Sequence, residues 1–261
     1  MFYYQKTKDD SEVIAALQKL AEEMPTAGFP EYRGRVRREH PWNHKRIRRV
    51  YKKMGLNIRR KHKRRLPERV KQPLEQQQKP NAIWSMDFMH DSLVSGRKFR
   101  TFNVIDDFNR EALTIEVNTS FPGEQVVRVL HSLIQFHGKP NKIRSDNGPE
   151  FISNVVKKFM EENNIEHQFI QPGKPTQNAY IERFNRSFRT AVLNAYLFET
   201  LSQVRVLAEK WIKDYNANHP HRSLNGLSPV EYKNAVNSGK LTPHTNASAQ
   251  FTTINIDDDH E

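Results

Sequence analysis

Asp87, Asp146 and Glu182 are the residues whose types and surroundings could do chemistry together. Asp87 lies in the apolar run AIWSMDFM, Asp146 ends the run NKIRS, and Glu182 stands in a helical stretch with 35 residues between it and Asp146. Mg²⁺ takes oxygen ligands in near-octahedral geometry and keeps several waters, so a few carboxylates and a substrate phosphate complete its shell. Two such ions roughly 3.5–4 Å apart (Mn²⁺ can substitute) activate an attacking oxygen and stabilise a leaving one, which is what phosphoryl transfer on nucleic acid requires. Without metal, clustered carboxylates repel one another, and at least one is expected to have a raised pKa. Acids are common, however, and Asp91, Asp106, Asp107, Glu111 and Glu150 stand close by in sequence. Glu150 has an ordinary explanation in the first turn of a helix, where the dipole favours negative charge.

The stretch around Glu182 sets it apart from ordinary surface acids. At 100° per residue, Asn178, Arg186 and Arg189 lie within about 40° of Glu182, whereas Tyr180, Ile181, Phe184 and Phe188 gather on the opposite side. The apolar face is expected to pack on a sheet, and the other to present a carboxylate among arginines and an amide. An i, i+4 ion pair from Glu182 to Arg186 is the plain alternative, worth about a few tenths of a kcal/mol. It leaves Asn178 and Arg189 on the same face unexplained, whereas a DNA end held over a metal site accounts for them.

Charge distribution points to the same kind of partner. Residues 1–80 hold 22 Lys and Arg against 9 Asp and Glu, while the remaining 181 residues hold 20 against 21, so the net charge of +12 sits in an N-terminal arm. A basic arm on a near-neutral body implies a polyanion, where each phosphate contact releases counterions. The arm lacks the exposed Trp, Phe and Leu of an interfacial helix, so nucleic acid is expected rather than a membrane surface. No apolar stretch approaches the roughly 18 residues of a membrane span. MFYYQKTKDD lacks the apolar region of a secretory signal. The absence of cysteine excludes disulfides, a thiolate nucleophile and a cysteine zinc site, and is compatible with a reducing cytoplasm. Eleven histidines are scattered, and His219 and His221, flanking Pro220, read as a surface turn.

The positioning elements follow from periodicity. Helices are expected over 11–24, with Ser11 as N-cap and Pro25 as stop, over 29–39 despite Gly34, and over 43–56. In the third, Asn43 is a good N-cap, Ile47, Val50, Tyr51 and Met54 form an apolar stripe, and Lys45, Arg46, Arg48, Arg49 and Lys52 supply the charge. Residues 1–57 read either as a helix-turn-helix DNA-binding domain, with Asn43, Lys45, Arg46, Arg48, Arg49 and Lys52 as its expected DNA contacts, or as a small bundle with a solvated basic face. Residues 58–81 read as a basic, proline-interrupted linker. From 82 to 237 strands are expected over 82–89, 98–108, 112–117, 141–145 and 165–170. Helices are expected over 123–138, from Pro149 to about Asn163, and over 178–197, 201–217 and 228–237. The order βββ-α-β-α-β-α is an α/β fold on a mixed five-stranded sheet. Residues 238–261 read as a polar tail.

WSMDF (84–88), FRTFNVIDDFNREAL (99–113), IRSDNGPEF (143–151), IQPGKPTQNAYIERFNRSFR (170–189) and YNANHPHRSL (215–224) resemble the OrfB-type transposases of bacterial insertion sequences of the IS-three family. The likeness runs through almost all of 25–235. It includes WNHKRIRRVY, which resembles the helix-turn-helix segment preceding the family's core. The resemblance implies a retroviral-integrase-like catalytic core of RNase H-like fold, with Asp87, Asp146 and Glu182 as the metal-binding catalytic triad. It also implies that Arg189 contacts DNA near the site, and that Lys174 and Asn178 touch the transposon end. The implied reaction is hydrolysis of one strand at the element's end, after which the freed 3′-OH attacks another phosphodiester. Synapsis of two ends implies a homo-oligomer, and the upstream OrfA product, free or frameshift-fused, is an implied partner. This chain departs from the family in having His219 where Arg-Pro-His is usual. A hydrolytic RNase H-like nuclease and an inert DNA-binding regulator of the element are the rival readings.

Overall fold

The computed structural model describes residues 9–57, 77–171 and 175–243, without the side chains of 175 and 176. Most of the expected linker, Lys174 and the tail beyond 243 lie outside the described residues.

Three short helices come first: α1 (Ser11–Glu23), α2 (Phe29–Glu39) and α3 (His44–Lys53). Val13, Leu17, Tyr32, Val36, Ile47, Val50 and Tyr51 close a small apolar core between them. The cap of α1 is Asp10 rather than Ser11, which is already helical and donates its N–H to Asp9 Oδ1. Asn43 caps α3 as expected, its side chain accepting from Lys45 N at 2.9 Å. Gly55, at φ 70°, ends that helix in the left-handed conformation that glycine adopts without steric cost.

The sheet has five strands: β1 (Ile83–Ser92), β2 (Lys98–Asp106), β3 (Ala112–Asn118), β4 (Lys142–Ser145) and β5 (Glu166–Phe169). Their spatial order is β3-β2-β1-β4-β5, with β1, β2 and β3 an antiparallel meander and β4 and β5 added in parallel. Strand alternation sends Trp84, Met86, Phe102 and Val104 to one face, where they meet α4 (Gly123–His137) and α5 (Asn154–Glu162) through Val126, Leu130, Val156 and Phe159. Met89, Phe99 and Ile105 go to the other face, under α6 (Ala179–Phe188) and α7 (Leu201–Asn218), which contribute Ile181, Phe184, Phe188, Val204 and Tyr215. Asp87 has the parity of Met89 and is paired with Asn103 on β2, so both point toward α6.

Helix α3 stops at Lys53, short of the expected 56, and two helix boundaries of the core also differ from expectation. The helix expected from Pro149 begins at Asn154, because residues 148–152 form a turn, with Phe151 N and Ile152 N bonded to Gly148 O, that drives Phe151 into the core. The long helix expected over 178–197 is composite: a 3₁₀ turn (Pro175–Asn178), α6, then a π-helical turn (Arg189–Leu193).

The helical unit docks on the C-terminal side of the core through α2. Arg35 forms a two-pronged ion pair with Asp214 of α7 (2.8 and 2.6 Å), and Arg38 reaches Glu231 of α8 (Pro229–Asn237) at 2.6 Å. His219 Nδ1 lies 3.3 Å from Glu31 Oε1. A Cβ on Gly34 would come 2.9 Å from Pro220 Cγ, so only glycine lets α2 sit this close. His219-Pro220-His221 is therefore a seam between the two parts, not the free surface turn that its composition suggests.

Candidate active site

Asp87 is held in the middle of β1 by two donors. Its Oδ1 accepts from Phe88 N and its Oδ2 from Asn185 Nδ2, both at 2.8 Å. Asn185 is in turn fixed by Asn103 Nδ2, which donates to its Oδ1 at 2.7 Å. This buried amide relay ties α6 to β1 and β2 and aims the carboxylate. Sequence reasoning passed over Asn185, although an amide interrupting the Ile181, Phe184 and Phe188 face was a signal for it. Burial drives the Asp87 pKa up to about 6, with the charges of Asp146 and Glu182 adding to the shift; the hydrogen bonds from Phe88 N and Asn185 oppose it.

Asp146 follows the last residue of β4 and is exposed. Its Oδ1 accepts from Gly148 N at 2.9 Å, and a Cβ at Gly148 would lie only 3.0 Å from that oxygen. Glu182 is exposed in the first turn of α6. The Glu182–Arg186 ion pair does not form, and Arg186 is exposed with no ionic partner among the described residues. The carboxylates of Asp146 and Glu182 act electrostatically on Asp87, although among the described residues no group of three His, Cys, Asp or Glu closes tightly enough to hold a metal ion.

The neighbouring acids are all engaged elsewhere. Asp91 meets Arg189 at 3.4 Å, Asp107 is buried against Arg144 (2.8 Å) and Ser85 (2.7 Å), and Glu111 meets Lys233 at 3.0 Å. Asp106 accepts from Asn81 N and Phe108 N; its burial raises its pKa to about 6. Glu150 pairs with Arg100 of β2, whose guanidinium also lies over the Phe88 ring at 4.2 Å. That partner, not a helix dipole, holds its pKa down, since α5 starts four residues later. Asp87, Asp146 and Glu182 have no cationic partner among the described residues. Unlike Asp106, whose two oxygens are taken by Asn81 N and Phe108 N, Asp146 gives only one oxygen to the backbone.

The expected DNA contacts divide. Arg186 and Arg189, with Phe88, Met89, His90 and Asn185, line a groove beside Asp87. Arg189 begins the π turn and is drawn toward β1, donating to His90 O at 2.8 Å. Asn178 does not share the exposed face: it is 4% exposed, and its Oδ1 has no partner among the described residues. The 3₁₀ turn preceding α6 rotates more per residue than the α-helix used to place it. On α3, Arg46 and Arg49 are tied to Asp10 at 3.1 and 2.7 Å, and the Asn43 side chain is occupied as a cap. Lys45, Arg48 and Lys52 are exposed, with no ion pair among the described residues.

Comparison with known proteins adds what geometry leaves general. The integrase core domain family matches residues 77–175, and a second integrase core domain family matches 163–229. The 31.7 kDa protein of insertion element IS407 of Burkholderia multivorans is 40% identical over 234 residues, covering 89% of this chain and 84% of that protein. The 39.2 kDa protein of insertion element IS476 of Xanthomonas euvesicatoria is 39% identical over 219 residues, spanning 84% of this chain and 63% of that protein. A chain of the simian T-cell lymphotropic virus intasome shares the fold with a TM-score of 0.53 at 17% identity, over 90% of this chain and 79% of that one.

The mixed sheet flanked by helices is RNase H-like, and with the domain matches it defines an integrase-core protein, an enzyme of DNA phosphoryl transfer. Within that class the chain belongs to the transposases of bacterial insertion elements.

Proposed function

We propose that Asp87, Asp146 and Glu182 hold divalent metal, Mg²⁺ with Mn²⁺ as a substitute, and that the chain there cleaves one strand at each transposon end and joins the freed 3′-OH to target DNA. The observation that carries this reading is that, among the acids around β1, β4 and α6, these three lack a neutralising cation among the described residues, while burial pushes Asp87 toward its protonated form and the charges of Asp146 and Glu182 add to that push. Hard oxygen donors with uncompensated charge are the donor set that Mg²⁺ suits. A bound divalent cation supplies activation of the attacking oxygen and neutralisation of charge on the leaving one.

The chain's own residues do the positioning. Asn185 and Phe88 N fix the Asp87 carboxylate, and Gly148 N fixes that of Asp146. Arg186 and Arg189, on the groove beside Asp87, hold the phosphates flanking the scissile bond and so place it in line. Lys174 is assigned to the transposon end. Buried Asn178 is assigned to setting the start of α6, with a DNA contact only if that turn opens. Lys45, Arg48 and Lys52 hold duplex from the helical unit. Two ends are brought together by a homo-oligomer, with the OrfA product as a further partner.

The test is cleavage and joining on a labelled transposon end, including an end carrying a ready 3′-OH. Asp146→Asn is expected to lower both steps by at least about 10²-fold, the scale on which one preorganised charge-stabilising group acts, with DNA retention unchanged. Joining at wild-type rates, or collapse of DNA binding, contradicts the assignment.

A further inference from the structure

Arg110 sits in the turn joining β2 to β3 at φ 65°, a left-handed conformation that an L side chain rarely adopts. Its side chain is driven inward: the residue is 4% exposed, and Nε, Nη1 and Nη2 are all buried without a hydrogen-bond partner among the described residues. The guanidinium carbon stacks 3.4 Å over the Tyr180 ring, which satisfies the face of the cation but none of its N–H groups. Asp107 attracts it from nearby, yet the Asp107 oxygens are already engaged by Ser85 and Arg144. A buried cation with five unmet donors is strongly unfavourable unless something arrives to accept from them.

The space in front of Arg110 is shaped to admit an acceptor. A cavity of about 40 Å³ is lined by Arg110, Tyr180, Arg183, Tyr215, His221 and Ser223, among others. His221 Nε2 is also buried without a partner, a second unmet polar atom at the same place. Arg183 and Ser223 are exposed at the rim. A water-sized atom needs roughly 10–15 Å³ of such space, so the cavity takes about three, one face of a tetrahedral oxyanion whose fourth corner stays at the opening. We propose that this cavity, between α6, the end of α7 and the β2–β3 turn, is a phosphate-type oxyanion site gripped by Arg110 and completed by Arg183, His221 and Ser223. It lies on the side of α6 away from the groove of Arg186 and Arg189, and it stands whether or not the acid triad binds metal.

The test follows thermal melting of the full chain while inorganic phosphate replaces chloride at constant pH and ionic strength. The wild type is expected to show a saturable rise in melting temperature. Arg183→Gln and Ser223→Asp change only the exposed rim. Each is expected to weaken the apparent phosphate affinity by at least about tenfold, the worth of one charge-assisted hydrogen bond. Arg110→Met should abolish the rise, with far-UV circular dichroism checking that it folds. Repeating the titration with bound duplex separates the two sources of phosphate. Displacement of inorganic phosphate by duplex, with a shallower salt dependence of DNA binding in Arg183→Gln, assigns the site to a DNA phosphodiester; undiminished phosphate affinity assigns it to a free anion. A wild type that does not respond, or a response that survives all three substitutions, overturns the site.

Discussion

Asp87 is where burial, repulsion and hydrogen bonding meet, and its pKa of about 6 has a consequence for stability. An acid whose folded pKa lies above its unfolded value binds more protons when folded, so stability falls as pH rises between the two values. In the absence of divalent metal, the full chain is therefore expected to lose stability from about pH 4 to about pH 6, by up to the order of 3 kcal/mol from this group. Asp106 titrates in the same window but is common to wild type and variant. Urea unfolding of the wild type and Asp87→Asn across that range isolates the Asp87 contribution, and parallel curves would show that the carboxylate is not perturbed. The three proposed metal ligands are legible as candidates in the sequence because each stands beside a recognisable strand or helix. Asn185 is not, since its role depends on Asn103, 82 residues away, meeting it across the α6–sheet interface.

At the scale of elements, helix α2 shows what a linear reading cannot see. Its arginines counted toward a DNA-binding arm, yet Arg35 and Arg38 are spent on Asp214 and Glu231 of the core. Gly34, which weakened the expectation of a helix, is what lets Pro220 approach. Alanine favours an isolated helix over glycine by about 1 kcal/mol, but here its Cβ would meet the Pro220 ring, an overpacking worth roughly 1–3 kcal/mol. We expect Gly34→Ala to lower the melting temperature of the full chain and to expose the α2–α7 seam to limited proteolysis; a more stable protein would refute the packing role. The five strands and the helices of the core follow the sequence's apolar periodicity closely. The two misplaced boundaries fall where a turn buries Phe151 and where the helix changes pitch at Asn178 and Arg189, features set by packing rather than by period.

For the whole molecule, part of the basic N-terminal unit's charge holds the unit together, and the rest is what the proposed contact with duplex would use. Arg46 and Arg49 hold α3 to Asp10, whereas Lys45, Arg48 and Lys52 have no ion pair among the described residues. Each phosphate contact contributes about −0.9 to the slope of log affinity against log salt on duplex DNA. Arg48→Gln with Lys52→Gln is expected to flatten that slope by about one to two, while Arg49→Gln lowers thermal stability and leaves the slope nearly unchanged. Equal slopes for all three proteins, measured by fluorescence anisotropy, would remove α3 as the DNA-facing helix. Among the described residues no helix is long and apolar enough to cross a membrane.

The proposal as a whole depends on Asp87, Asp146 and Glu182 sharing divalent metal, and metal uptake can be read without any DNA substrate. Titrating the full chain with Mn²⁺ and following the free ion by electron paramagnetic resonance tests this directly. The wild type is expected to take up the ion, and Asp87→Asn, Asp146→Asn and Glu182→Gln are each expected to lose at least about tenfold in affinity, as removal of one charged ligand implies. Wild-type uptake in all three variants, or none in the wild type, would contradict it.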